Sequence, residues 1–239
     1  MGFASTEMKI TRWIKSQNKK TKQKIMRIEA MNKPIKKMTI SLLLFITLPF
    51  ASYIKAGLSD YETLPKVIIE TELGNITVAI DQRKAPISAT NFLRYVDDQR
   101  YKETSFYRVV KMNNQPQNDI KVEVIQGGIR FEESDLILDP IKHETTEETG
   151  ILHKNGVISM ARDQPGTASS DYFICIGDQP ELDFGGKRNP DGQGFAAFGY
   201  VIDGMDVVIK IQEQTDNEQM LVKPIQIKGI KRIDIVKNN

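Results

Sequence analysis

Ser105-Phe106-Tyr107-Arg108-Val109-Val110 and, downstream, Val124-Ile125-Gln126-Gly127-Gly128 decide how this chain is read. The first is a short run of β-branched and aromatic residues, which is a strand signal. The second closes another apolar strand, from Val122 to Ile125, with a glycine pair. Arg108 stands in the middle of the first run. Its guanidinium keeps its charge and carries five donors in a rigid fork. In such a place it needs a partner, a wet cleft or a ligand. Taken alone, the plainest reading is a strand-end arginine that reaches solvent or a carboxylate. Its company in the rest of the chain changes the odds.

Upstream, Val67–Leu73 and Ile76–Ile80 are strand-like, with Gly74-Asn75 between them as a hairpin turn signal. Pro86 opens a helix in which Ala89, Phe92, Leu93 and Val96 recur at helical spacing. Downstream, 112–119 is a polar loop and 131–149 an acidic, irregular surface loop. Val157–Ala161, Tyr172–Ile176 and Phe195–Val201 are strand-like, with a Gly, Asp, Asn and Pro loop over 181–193. Met205, Val208 and Ile209 mark a second helix. Ile225, Ile227, Ile233 and Ile235 alternate in a closing strand that breaks at Gly229. Many short strands separated by turns, with two helices, predict a mainly β fold of the barrel or sandwich kind.

The 239 residues suffice for one sizeable domain and a leader. Residues 1–37 hold eleven Lys or Arg against Glu7 and Glu29, which leaves 22 basic and 29 acidic residues beyond them, a net charge of −7. That acidic body lacks the basic footprint that nucleic acid requires. Lys36-Lys37 precedes a short apolar run, Met38 to Ala51, interrupted by Pro49. A basic flank before such a run is the pattern of a secretory signal peptide. The alternative is an uncleaved anchor with its basic tail in the cytoplasm. Translation from Met26 or Met31 would leave a signal peptide of ordinary length. The expected organisation is a basic extension over 1–37, a signal peptide or anchor over 38–56, a linker over 57–64 and one domain over 65–239. Export to the periplasm, or anchoring to the inner membrane, follows from it.

The chain lacks the usual fingerprints of covalent or metal chemistry. Cys175 sits in an apolar run with no histidine near it in sequence, so it reads as a core residue. His143 and His153 have no zinc spacing around them. Gly185-Gly186-Lys187 is not followed by the Ser or Thr of a phosphate loop. No cofactor and no metal site are expected. One reaction needs neither. Rotation about an X–Pro bond breaks no covalent bond and transfers no proton, and its barrier of about 18–20 kcal/mol comes from amide resonance. A donor aimed at the prolyl nitrogen, beside an apolar slot for the ring, favours the twisted state. One charge-assisted hydrogen bond is worth about 1.5–3 kcal/mol, or about one to two decades of rate.

On these motifs the chain from about Val67 to Val236 resembles the cyclophilins. Phe106-Tyr107-Arg108 resembles the family's Phe-His-Arg, Gln126-Gly127-Gly128 its Gln-Gly-Gly, Ser159-Met160-Ala161 its Ser-Met-Ala, and Ser170 to Cys175 its Ser-Gln-Phe-Phe-Ile-Cys. The resemblance implies a closed eight-stranded antiparallel barrel capped by two helices, acting as a peptidyl-prolyl cis-trans isomerase without a cofactor. It implies Arg108 as the catalytic arginine and Gln126 as the glutamine that bonds both arginine and substrate. It implies Phe173 as the floor of a proline pocket, with Leu182 and Phe195 along its wall, where Val122 or Val124 replaces a further wall residue of the family. Ala161, Arg162 and Asp163 would lie along the residue before proline, and Asp171 takes the place of the family's glutamine. Two further departures are Glu123-Val124 for Phe-Met and Glu181 for a tryptophan. Proline-containing polypeptides are the expected partners and a monomer the expected state. A peptide-binding module with a degraded site, and a holdase chaperone, are the alternatives.

Overall fold

The computed structural model describes residues 61–130 and 134–233. The expectations for the basic extension, the apolar leader and residues 57–60 lie outside the described residues, as does Ile235. In chain order the elements are β1 (Lys66–Thr71), β2 (Gly74–Ile80), α1 (Pro86–Asp97), β3 (Ser105–Val110), β4 (Val124–Gly128) and α2 (Thr146–Thr149). Then come β5 (Val157–Met160), β6 (Tyr172–Cys175), a 3₁₀ turn (Pro180–Leu182), β7 (Ala196–Asp203), α3 (Met205–Gln212), β8 (Asp216–Asn217) and β9 (Met220–Ile233).

The strands run in the order β1-β2-β7-β5-β6-β4-β3-β9, and β1 pairs with β9 to close the ring. This is the eight-stranded antiparallel barrel that was expected. Closure removes the free sheet edges that would otherwise invite aggregation. The two-residue β8 is an addition, paired only to β9. Inward-facing residues fill the barrel, among them Ile69, Val78, Phe106, Val109, Ile125, Ile158, Tyr172 and Phe198. Phe92 of α1 packs against Tyr101, Tyr172 and Phe198, with ring centroids 5.1–5.3 Å apart. The four apolar positions expected to face the core from α1 are all buried. On α3 the buried face is Val207, Val208 and Ile211, whereas Ile209 is exposed.

Several local expectations are corrected. The first hairpin turns at Glu72-Leu73, since Thr71 pairs with Gly74. The Thr71 hydroxyl accepts from the Leu73 amide (3.1 Å) and donates to the Gly74 carbonyl (2.6 Å), closing the turn two residues early. Residues 61–64 are part of the folded body, with Leu64 only 2% exposed and Tyr61 against Tyr200 at 4.7 Å. β4 begins at Val124 and carries Gln126 to Gly128 within its ladder. The break expected at Gly229 is a bulge: Glu70 pairs with Gly229 and Thr71 with Ile227, so Lys228 is extra.

Of the stretch expected as a surface loop, the described residues 134–149 do more than cover the surface. Buried Glu144 accepts from the amides of Ile87 (3.1 Å) and Ser88 (2.9 Å) at the start of α1. Ala85 at that helix's N-cap has no side chain able to do so. The carboxylate thus satisfies open N–H groups at the positive end of the helix dipole. Thr145 and Glu148 then form a capping box on α2.

Candidate functional site

Strict alternation along β3 would send Phe106, Arg108 and Val110 to one face. A bulge prevents this. Phe106 pairs with Gly127 and Arg108 with Gln126, leaving Tyr107 unpaired on β4. Phe106 and Val109 therefore both enter the core, while Arg108 and Val110 face a cleft outside the barrel. The extra residue moves the cation from the interior to the outer surface, as bulges re-aim side chains.

The register across neighbouring strands then builds the site. Arg108 pairs with Gln126, Gln126 with Phe173, and Phe173 with Ser159. These four residues form one rung across β3, β4, β6 and β5. One step away, Val110 pairs with Val124 and Val124 with Cys175. Val110, Val122, Val124, Phe173, Cys175 and Leu182 make a small apolar cluster separate from the barrel core, with Ala161 and Phe195 against it. Phe195 meets Phe173 edge to face at 5.2 Å. The cleft has a volume of about 730 Å³, and all ten candidate residues border it: Arg108, Val124, Gln126, Ala161, Arg162, Asp163, Asp171, Phe173, Leu182 and Phe195.

Arg108 Nε and Nη2 both donate to Gln219 Oε1 (3.1 and 2.6 Å), and Nη1 donates to Gln126 Oε1 (2.9 Å). Three of its five N–H groups are engaged, which leaves two. Burial pulls the Arg108 pKa below its ordinary value, and Tyr107 opposes that. An arginine so placed is still charged. Gln219 went unrecognised in the sequence. It lies in the β8–β9 turn at φ +76, with its Nε2 donating to the Asn114 carbonyl (3.1 Å). No motif connects it to Arg108, which is 111 residues away.

Two expected substrate contacts prove to be engaged by the protein itself. Arg162 donates to both carboxylate oxygens of Asp191 (2.8 and 2.9 Å) and to the Gly194 carbonyl, and its side chain is 1% exposed. Its guanidinium lies 5.2 Å from the Phe195 ring centre, so it supports the pocket wall from behind. Asp171 accepts from Tyr107 on Oδ2 (2.5 Å) and from Ser170 on Oδ1 (3.1 Å).

The polar loop before β4 forms a rim. Buried Gln115 donates to the carbonyls of Lys111 and Val122 (2.7 and 2.8 Å), which presents Val122 to the apolar cluster. Arg188 crosses the rim to the Ile120 carbonyl (2.5 Å) and joins Arg108, Arg130 and Arg162 in the lining of the cleft. Glu123 does not line the cleft and accepts from Gln212 (3.4 Å). Beneath the floor, buried His153 stacks on Phe173 at 5.8 Å. It bonds Asp183 through Nδ1 (2.7 Å) and Ser159 through Nε2 (3.0 Å). Ser159 is fully buried, so this Ser-His-Asp chain is a support for Phe173 and not an accessible nucleophile. Burial also pushes the Cys175 thiol well above its ordinary pKa, which suits an inert core residue.

Residues 66–232 match the family described as "Cyclophilin type peptidyl-prolyl cis-trans isomerase/CLD". The chain belongs to that family. Peptidyl-prolyl cis-trans isomerase A of Dickeya dadantii (strain 3937) is 35% identical over 178 residues, 72% of this chain and 86% of its own length. Peptidyl-prolyl cis-trans isomerase B of Escherichia coli (strain K12) is 35% identical over 150 residues, 61% of this chain and 83% of its own length. A cyclophilin-type isomerase of Cryptosporidium parvum, solved in the presence of the dipeptide Ala-Pro, aligns with a TM-score of 0.57 at 23% identity. That alignment covers 71% of this chain and 99% of the other, and it supports the cyclophilin barrel.

Proposed function

We propose that this cyclophilin-type peptidyl-prolyl cis-trans isomerase rotates X–Pro bonds by holding a proline ring in the apolar cluster while Arg108 donates to the prolyl nitrogen. The observation that carries the reading is the rung: Arg108 and Gln126 stand on adjacent paired strands, with Phe173 next in line. A fixed cation with two unused N–H groups is thereby set beside an apolar dimple. As the amide twists, resonance is lost and the prolyl nitrogen becomes a better acceptor. A donor waiting there bonds the twisted form more strongly than the planar one, which is what lowers a barrier. Because Gln219 and Gln126 already hold the guanidinium, little reorganisation is needed at the moment of rotation.

Phe173, Leu182, Val124 and Phe195 bind the ring. Ala161 and Asp163 border the chain before proline, and Asp171 and Arg162 position their neighbours. Every one of these groups comes from a single chain, which supports a monomer as the working unit. Sedimentation as a dimer whose dissociation ends activity would overturn that. The substrate class is the proline-containing polypeptide. The basic flank and apolar run over 36–51 support clients among exported proteins, acted on in the periplasm or from an inner-membrane anchor. N-terminal sequencing of the protein from fractionated cells tests this, and an intact Met1 in soluble cytosol sinks it.

Exchange NMR on an X–Pro peptide tests the chemistry. Catalytic amounts of the wild type broaden the cis and trans signals, and Arg108→Ala broadens them one to two decades less. Binding of the peptide without faster exchange would leave a peptide-binding module instead. Suppression of aggregation that survives Arg108→Ala would be a separate holdase property.

A further inference from the structure

Tyr107 and Asp171 touch no reacting atom in this scheme, yet a chain of hydrogen bonds runs from them to Arg108. Tyr107 donates to Asp171 Oδ2 (2.5 Å), Gln126 Nε2 donates to the Tyr107 hydroxyl (2.8 Å), and Arg108 Nη1 donates to Gln126 Oε1 (2.9 Å). We propose that Tyr107 and Asp171 are positioning residues: ionised Asp171 locks the Gln126 amide in the orientation that Arg108 requires, and through it holds Arg108 in its working pose. The catalytic consequence rests on the isomerase reading above.

The argument is one of polarity. An ionised carboxylate only accepts, so the phenol proton must point to Asp171. The phenol oxygen is then left as an acceptor and takes the Gln126 N–H. Gln126 must in turn offer its carbonyl oxygen to Arg108, which can only donate. Each group has one orientation, and the charge at Asp171 and the donors of Arg108 require the same one. Adding a proton reverses the chain. Oδ1 stays the acceptor for Ser170, so the new proton lies on Oδ2, facing Tyr107. Tyr107 then accepts and turns its own proton to Gln126. To receive it, Gln126 must flip and present its NH₂ to the guanidinium, donor against donor. Arg108 would keep Gln219 and lose Gln126.

The surroundings favour such a change at accessible pH. Burial raises the Asp171 pKa, while bonds from Tyr107, Ser170 and the Ile129 amide pull it back. Burial and the Asp171 charge push the Tyr107 phenol far up, so it stays neutral. The other groups that feel this charge are the buried phenols of Tyr101 and Tyr172. Nearby, the Arg130 guanidinium lies 5.9 Å from the Tyr107 ring centre. The backbone makes room for the carboxylate: Gly128, at φ +137, has no Cβ where one would collide with Asp171. The pair thus sits in a fitted place next to the rung, although neither residue pairs directly with Arg108.

The test follows the Gln126 side-chain amide by NMR in the wild type from about pH 4 to 8, beside kcat/KM for an X–Pro peptide. The expected result is one shared titration above the ordinary carboxylate range. In it kcat/KM falls about tenfold on the acid side, the loss of one hydrogen bond to the arginine. Asp171→Asn and Tyr107→Phe then show residual rates that no longer vary over this range. A Gln126 signal that does not titrate overturns the proposal, as does an acid limb kept by both variants. Should the wild type give no acceleration at all, the isomerase reading fails. The Gln126 titration still decides whether Asp171 orients the amide.

Discussion

The two faces of β3, β4 and β6 are made from the same strands and do opposite work. Inward go Phe106, Val109, Ile125, Tyr172 and Ile174, all within the main core. Outward go Arg108, Val110, Val124, Gln126 and Phe173, all lining the cleft. The inner face gains by excluding water and does not need a unique pairing, because apolar contact is non-directional. The outer face depends on which residue stands beside which, because the hydrogen bonds that Arg108 donates are directional, and a slip of two residues, which keeps the same faces inward, would part it from Gln126. Stability therefore resides mainly inside, and specificity of geometry outside.

If that division holds, substitutions on the two faces should separate stability from activity. Phe106→Ala deletes a fully buried ring and should cost about 3–5 kcal/mol of stability. Urea unfolding reads it as a lower midpoint, and a loss under about 1 kcal/mol would contradict the placement of the core. Arg108→Ala should do the reverse. Isomerisation falls by about one to two decades, while stability moves by about 1 kcal/mol or less, because the desolvation cost of the charge goes with it. A collapse of the fold would show that the arginine is structural.

Gln219→Ala sharpens the comparison from outside both faces. It removes the acceptor for two Arg108 donors, and kcat should fall about tenfold with KM changed less. An unchanged kcat would mean that Gln126 alone suffices to hold the arginine.

The smallest expected effect concerns pH. The Asp171 pKa is raised by burial from 3.8, so the folded protein binds this proton more tightly than the unfolded chain does. Its contribution to stability is full below the ordinary carboxylate pKa and is lost as pH rises through the raised value. Stability from this group should therefore decline over the window in which activity rises, and Asp171→Asn should flatten that part of the stability profile. Denaturant midpoints measured across the window check it. A midpoint that rises with pH in the wild type and loses that slope in the variant would reverse the sign.

Much of the barrel was legible because its signals are local. Runs such as Tyr172 to Cys175 declare strands, and Pro86 with Ala89, Phe92, Leu93 and Val96 declares a helix and its buried face. The candidate residues were legible as types, since an arginine in an apolar strand and a glutamine before two glycines are local oddities. What escaped was the partner at a distance: Gln219 for Arg108, Glu144 for the start of α1, Asp191 for Arg162. Each of these contacts depends on where a loop returns, and loop composition does not encode that.

The sequence by itself determined a mainly β fold, its resemblance to a barrel family, the kinds of side chain available for chemistry and the buried face of α1. Only the tertiary structure decided the bulge at Tyr107, the rung from Arg108 to Ser159 and the second anchor from the β8–β9 turn. The physical reason is range. Side-chain period is a property of consecutive residues, whereas register and bulge position minimise the energy of strands that meet across the whole chain.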